Sequence, residues 1–206
     1  MTANELDKEY YVMDVDGEDN HPLLSWADVN DSLFMSGMPI GEFRLKEIGT
    51  LNARFDEPYP SKYEIPDWMM LGNTFACSFL LKSLFERNRI YGIEFLPMVS
   101  IIDNHGRKIK GYYVVHIWNR LPAIDNKNYK GGKPNQDGVI FDLESFSLDV
   151  QYLKSIPLEN RLIFELRDSP GIFIIHQKLY NIIIKAKPSG LTFFRVDDWN
   201  NRLFYR

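Results

Sequence analysis

Hydrophobic and polar positions along this chain fall into short blocks, and the blocks predict its elements. Tyr10-Tyr11-Val12-Met13-Asp14-Val15 is aromatic and β-branched and stops at Asp16-Gly17-Glu18-Asp19-Asn20, as a strand entering a turn does. Residues 21–67 carry Pro22, Pro39, Pro58, Pro60 and Pro66 among apolar pairs such as Leu33-Phe34, which predicts short strands and loops. Phe75, Phe79, Leu80 and Leu84 keep near one stripe, so a helix capped by Asn73 or Thr74 is expected through about Arg87. Gly92-Ile93-Glu94-Phe95-Leu96 then reads as a strand.

Met98 to Ile102 and Ile109 to Trp118 flank Asp103-Asn104-His105-Gly106-Arg107, a hairpin turn. Tyr112, Val114, His116 and Trp118 share one face of the second strand, and Tyr113, Val115 and Ile117 the other. With both faces largely apolar, this strand is expected to be central. Asn126 to Gly138 reads as an exposed loop, and Val139-Ile140-Phe141, Arg161 to Leu166 and Ile172 to Ile175 as further strands. Leu179, Ile182, Ile183 and Ala186 give Lys178 to Lys187 helical spacing, ended by Pro188-Ser189-Gly190, and Leu191 to Val196 closes with a strand. The expected class is α+β: strand-dominated mixed sheets with two or three helices.

A faint echo runs through the chain. Tyr10-Tyr11-Val12 returns as Tyr112-Tyr113-Val114, and Gly92-Ile93-Glu94-Phe95 as Gly190-Leu191-Thr192-Phe193, at offsets of 102 and 98. The echo is compatible with a degenerate two-fold internal duplication, and chance competes with it, since Tyr, Val and Phe are common strand residues.

Composition narrows the class. The 206 residues, 45% hydrophobic and 25% charged, suit a globular chain that buries a sizeable core. One cysteine, Cys77, leaves no intrachain disulfide and reads as a buried thiol within the expected helix. The first residues have neither a basic nor an apolar signal-peptide region, and no stretch approaches the length of a membrane span, so a cytoplasmic protein with no membrane partner is expected. Charge divides the chain: residues 1–103 hold 8 basic and 18 acidic residues, and residues 104–206 hold 16 and 10. An acidic half, 1–103, and a basic half, 104–206, are thus the expected organisation, within two domains or one continuous one. Phosphates would be repelled by the acidic half, which argues against nucleic acid. An acidic edge is either simply solvated or steers a basic protein partner.

Catalytic signatures are absent. Neither Gly-x-Gly-x-x-Gly nor a phosphate-binding Gly-x4-Gly-Lys-Ser/Thr occurs, and there is no His-Glu-x-x-His or Gly-x-Ser-x-Gly. His21, His105, His116 and His176 lack metal-ligand spacing, and His116 reads as a core or interface histidine. Asp14 to Asn20 is like half a calcium loop, but Gly17 stands fourth rather than sixth and the twelfth residue is Ser25. Glu159 with Glu165, and Asp197 with Asp198, carry no mark of an acid–base pair. No catalytic residue, metal or cofactor is expected.

Three pieces of the chain together carry a resemblance. They are Tyr10-Tyr11-Val12-Met13, then Tyr112-Tyr113-Val114-Val115-His116-Ile117 running to Asp125, and then Phe164-Glu165-Leu166-Arg167 through Ile172-Phe173-Ile174-Ile175 to Ser189-Gly190-Leu191-Thr192-Phe193-Phe194-Arg195-Val196. The chain resembles a family of bacterial immunity proteins from polymorphic and type VI toxin systems, typified by a myxobacterial member and formerly a domain of unknown function. The match covers about residues 110–198 and, in the first half, the opening strand alone. The resemblance implies a non-enzymatic protein that binds one cognate toxin and blocks it, and its motifs read as scaffold, so no contact residue transfers from them. A cytosolic toxin such as a nuclease, an NAD-consuming enzyme or an ADP-ribosyltransferase is the expected target. Asp14, Asp16, Glu18, Asp19, Asp28 and Asp31 are the candidate toxin contacts, chosen on charge. Two other classes stay open: a small-ligand or regulatory module with a pocket between the halves, and an enzyme built from residues distant in sequence.

Overall fold

The computed structural model describes residues 4–17, 20–27, 34, 37–56, 62–98 and 100–201. After a 3-10 turn at Glu5–Glu9 the elements run β1 (Tyr10–Val15), β2 (Leu24–Trp26), α1 (Gly41–Ile48), β3 (Asn52–Phe55), β4 (Trp68–Leu71), β5 (Thr74–Ser78), α2 (Phe79–Arg87) and β6 (Ile93–Pro97). They continue with β7 (Ser100–Ile102), β8 (Lys108–Ile109), β9 (Tyr112–Ile117), β10 (Arg120–Leu121), β11 (Ile124–Gly131) and β12 (Leu143–Leu148). The last are α3 (Val150–Ser155), β13 (Ile163–Leu166), β14 (Phe173–His176), α4 (Gln177–Ala186) and β15 (Leu191–Arg195). The fold is α+β and strand-dominated, with mixed sheets.

Eight strands form one sheet in the order β6-β9-β5-β4-β2-β3-β7-β8, five form a second in the order β10-β13-β14-β1-β15, and β11 and β12 form a separate ribbon. Each larger sheet contains the same unit. In the first, β5, α2 and β6 form a strand–helix–strand crossover, and β9 lies between the two strands, antiparallel to both. In the second, β14, α4 and β15 do the same, with β1 between them. The registers coincide: Tyr112 faces Ser78 as Tyr10 faces His176, and Val115 faces Phe95 as Met13 faces Phe193. The echoed segments of the sequence therefore occupy equivalent positions in the two units.

Local chemistry explains the shared geometry. Gly92 and Gly190 have φ of +89° and +84°, a conformation that favours glycine. A Cβ on Gly190 would meet the Trp68 carbonyl oxygen at 2.1 Å, and one on Gly92 the Asn119 Cβ at 2.3 Å. Each glycine carbonyl accepts the N–H that follows the central strand, from Trp118 at 2.9 Å and from Asp16 at 3.0 Å. A left-handed basic residue follows each helix, Arg89 just past the Asn88 C-cap of α2 and Lys187 as the C-cap of α4.

A core between the two sheets joins the units: Met13, Phe75, Cys77, Leu81, Phe85, Val115, Ile175, Leu179 and Ile183 pack into one cluster. Outer clusters close the other faces, one under the ribbon around Leu148 and Phe164, the other beneath β2 and β3 around Ala53 and Leu71. The charge boundary at 103/104 falls in the turn between β7 and β8, which pair as a hairpin. It does not divide the sheets, because β1 is held by β14 and β15, and β9 by β5 and β6.

Several elements correct the sequence reading. No helix begins at Asn73 or Thr74: Thr74 to Ser78 is a strand buried between β4 and β9, and the helix starts after Ser78. Phe75, Ala76 and Cys77 are all buried, and this continuous apolar run satisfied the helical stripe while belonging to an interior strand. Cys77 is thus a strand residue, and burial pushes its thiol well above the usual range. Asn126 to Gly131 belongs to β11, whose polar side chains face water, so it shows no apolar alternation. Val139 to Phe141 is not a strand; Ile140 is buried, and Phe141 is 76% exposed.

Candidate functional site

A cleft of about 290 Å³ is lined from both large sheets. Asp14 at the end of β1, Arg120 of β10, Glu165 of β13 and Phe173 of β14 come from one, and Thr74 and Phe75 of β5 from the other. Phe75 and Phe173, which hold equivalent places in the two units, meet edge to face with ring centroids 4.9 Å apart. Met70, 39% exposed, lies at the mouth.

Glu165 interrupts a strand that is buried at every position. Its direct neighbour across the β10–β13 pairing is Arg120, whose Nε lies 2.6 Å from Glu165 Oε2. The Gly171 N–H donates to the other carboxylate oxygen at 2.9 Å. Burial pushes the Glu165 carboxyl above the ordinary carboxylate range, against the Gly171 hydrogen bond and the Arg120 charge. With both oxygens engaged, Glu165 holds Arg120 in place.

Asp14 is different. Burial raises its carboxyl as well, and the opposing contribution is a single hydrogen bond from the adjacent Val15 N–H at 2.7 Å. It forms no ion pair among the described residues. Of the other candidate contacts, Asp16 is half-buried just beyond β1, where its N–H bonds Gly190. Glu18, Asp19, Asp28 and Asp31 lie outside the described residues. The structure therefore brings one of the six, Asp14, into a cleft whose other charged members are Arg120 and Glu165. A charge inside the apolar run Leu162 to Leu166 was the available signal for Glu165; nothing local marks Arg120.

Other titratable groups have structural partners. His116 is buried on β9 with Nε2 2.9 Å from the Met38 carbonyl oxygen, and burial lowers its pKa. Asp103 is buried in the β7–β8 turn; hydrogen bonds from Tyr63, the Arg107 side chain and two backbone N–H groups outweigh burial and hold its carboxyl well below the usual range. Among the described residues no group of three or more His, Cys, Asp or Glu side chains could hold a metal, and no helix is long and apolar enough to cross a membrane. A larger open hollow of about 340 Å³ lies between α2 and β6, where Glu94 accepts a hydrogen bond from the Ile40 N–H at 2.7 Å. In comparison with known proteins, no family model matches this chain and no curated protein matches it.

Proposed function

We propose that this chain is a non-enzymatic immunity protein that binds one cognate secreted toxin domain and neutralises it by occlusion. The observation that carries the reading is where the resemblance falls. Its segments lie on β1, β9, β13, β14 and β15, and its most specific element opens at Gly190, where a Cβ has no room. Those are scaffold positions, which leaves the surface around them free to suit one toxin. Asp14 and Asp16 at the end of β1 supply negative charge toward a basic partner.

The test is a pull-down from the native bacterium, followed by co-expression with the toxin domain recovered. The expected outcome is stoichiometric capture and restored growth, with association slowing as salt rises. Toxicity unchanged by an excess of this chain overturns the proposal. A salt-independent on-rate removes only the acidic segment from it.

The cleft favours a second reading, a small-ligand or regulatory module with its pocket between the two halves. A rise in melting temperature with common nucleotides or metabolites, in the absence of any protein partner, selects it.

A further inference from the structure

We propose that the outer edge of β6, on the floor of the hollow beside α2, is a docking site for an extended peptide segment of a protein partner, which joins the eight-stranded sheet as a further strand. The inference rests on the geometry of this edge and on neither reading of function above.

The lining shows where the hollow lies. Ile93, Glu94, Phe95 and Leu96 all border it, although alternate side chains of a strand point to opposite faces. Four consecutive strand residues meet one space along a backbone edge, and β9 occupies the other edge. The walls are Phe85, Glu86, Arg89 and Ile90, at and just beyond the end of α2, and Gly41 at the start of α1.

The pairing with β9 fixes which backbone groups look into this space. The Gly92 carbonyl accepts the Trp118 N–H at 2.9 Å, and the Met98 N–H donates to the Tyr112 carbonyl at 3.3 Å. By the alternation of an antiparallel ladder, Glu94 and Leu96 then bond to β9 as well, opposite His116 and Val114. Ile93 and Phe95 therefore turn their N–H and C=O groups outward, and Pro97, with no N–H to give, ends the row. Among the described residues no strand pairs with it. A row of donors and acceptors repeating at every second residue is what another extended backbone matches.

The surroundings choose the segment. A strand laid beside β6 sends alternate side chains toward α2, where Phe85 and Phe95 lie with ring centroids 5.7 Å apart and Ile90 extends the apolar wall. The intervening side chains face Gly41 and the Glu94 carboxylate, which is held by the Ile40 N–H. The segment that fits alternates apolar with small or polar residues. The hollow, about 340 Å³, takes a short free segment, whereas β6 of a second copy arrives flanked by its own α1 and α2. The far end of the same sheet is blunted: β8 is two residues long and opens with Lys108, whereas β6 is five residues long and carries no lysine.

The test screens the full chain against a synthetic library of acetylated heptapeptide amides whose apolar residues alternate with Gly, Ser, Thr or Lys. The tightest binders are followed by residue-resolved amide hydrogen exchange. In the free chain the Ile93 and Phe95 amides are expected to exchange fast and those of Glu94 and Leu96 slowly. Bound peptide should slow Ile93 and Phe95 at least about tenfold and leave the other two unchanged. N-methylation at alternate peptide residues should weaken binding severalfold in one phase and little in the other. Phe95→Pro, which removes one outward donor from an edge strand, should lose peptide binding with a cooperative melt. Because proline can also unsettle β6, the exchange pattern of the unmodified chain decides. Failure of every library peptide to bind, binding indifferent to the phase of N-methylation, or protection away from Ile93 and Phe95 overturns the proposal. So does slow exchange of Ile93 and Phe95 without peptide, and a dimer in sedimentation would then make a second copy the occupant.

Discussion

The β5–α2–β6 unit around β9 and the β14–α4–β15 unit around β1 agree wherever the backbone is constrained and differ wherever a polar side chain is free to change. They share register, a left-handed glycine before the last strand and a left-handed basic residue after the helix. Lys82 lies 5.0 Å from the Tyr113 ring centroid, whereas the equivalent Tyr180 stacks on Tyr11 at 4.1 Å. Ser78 precedes α2 without a side-chain cap, whereas the His176 ring accepts the Lys178 N–H at 3.0 Å. On the central strands, His116 faces Glu94 where Asp14 faces Thr192. One position thus holds a buried imidazole in one unit and a cleft carboxylate in the other. The scaffold is held in common, and its polar chemistry is separate in each unit.

The sharpest way to break the comparison is at the shared glycines. Gly190→Ala combines an unfavourable left-handed alanine with overlap on a backbone oxygen, and should cost about 3 kcal/mol in chemical denaturation. Gly92→Ala meets the Cβ of the buried Asn119 rather than a backbone oxygen, and should cost about 2 kcal/mol. The reverse ranking would mean that the two turns are constrained differently.

Next comes a pair found at the cleft. Arg120→Ala leaves Glu165 buried and unpaired, and should also cost about 2–3 kcal/mol, since Arg120 is partly exposed. The Arg120→Ala/Glu165→Gln double variant should recover much of that loss, and a cycle without such coupling would remove the pair from the account.

The position that distinguishes the units should show in pH profiles. Burial lowers His116 below its ordinary 6.5, so the unfolded chain takes up its proton first, and stability falls as pH drops from about 6.5 toward the folded value. His176 is lowered too and adds to the same acid loss, so His116→Gln should reduce the slope without abolishing it. Asp14 has the opposite sign. Its raised value favours the folded state below the ordinary 3.8, and that advantage is lost as pH rises through the folded value. Asp14→Asn should therefore stabilise the chain at neutral pH, by less than about 1 kcal/mol, and give no gain near pH 3. A destabilised Asp14→Asn at neutral pH would mean that the carboxylate is already compensated.

Much of the framework was legible because its signals are local. β1, β6, β9, β13 and β14 lie where alternation or a β-branched run predicted strands, and α4 where Leu179 and Ile183 gave helical spacing. The failures have physical causes. Phe75 to Ser78 fitted a helical stripe because an interior strand is apolar on both faces. The residues of β11 give a loop pattern because a ribbon strand can be polar along its exposed length. α1 went unannounced because Gly41-Glu42-Phe43-Arg44-Leu45-Lys46-Glu47-Ile48 sits among prolines and glycines that argue for loop. At the cleft, Asp14 was marked by charge, but Arg120 and Glu165 meet only through the β10–β13 pairing, which no local pattern encodes.

The placement of β1 also has a consequence for synthesis. Every strand of the eight-stranded sheet lies between residues 24 and 117, so that sheet can close while much of the chain is still to be made. β1 emerges earlier than any of them, yet its two neighbours, β14 and β15, are made only after all of them. Until β14 and β15 are made, therefore, the nascent chain carries an apolar strand with both edges unpaired, open to mispairing or to a chaperone. A strand made before the whole eight-stranded sheet is seated only after it, and a stop codon before residue 191 would leave one of its edges bare.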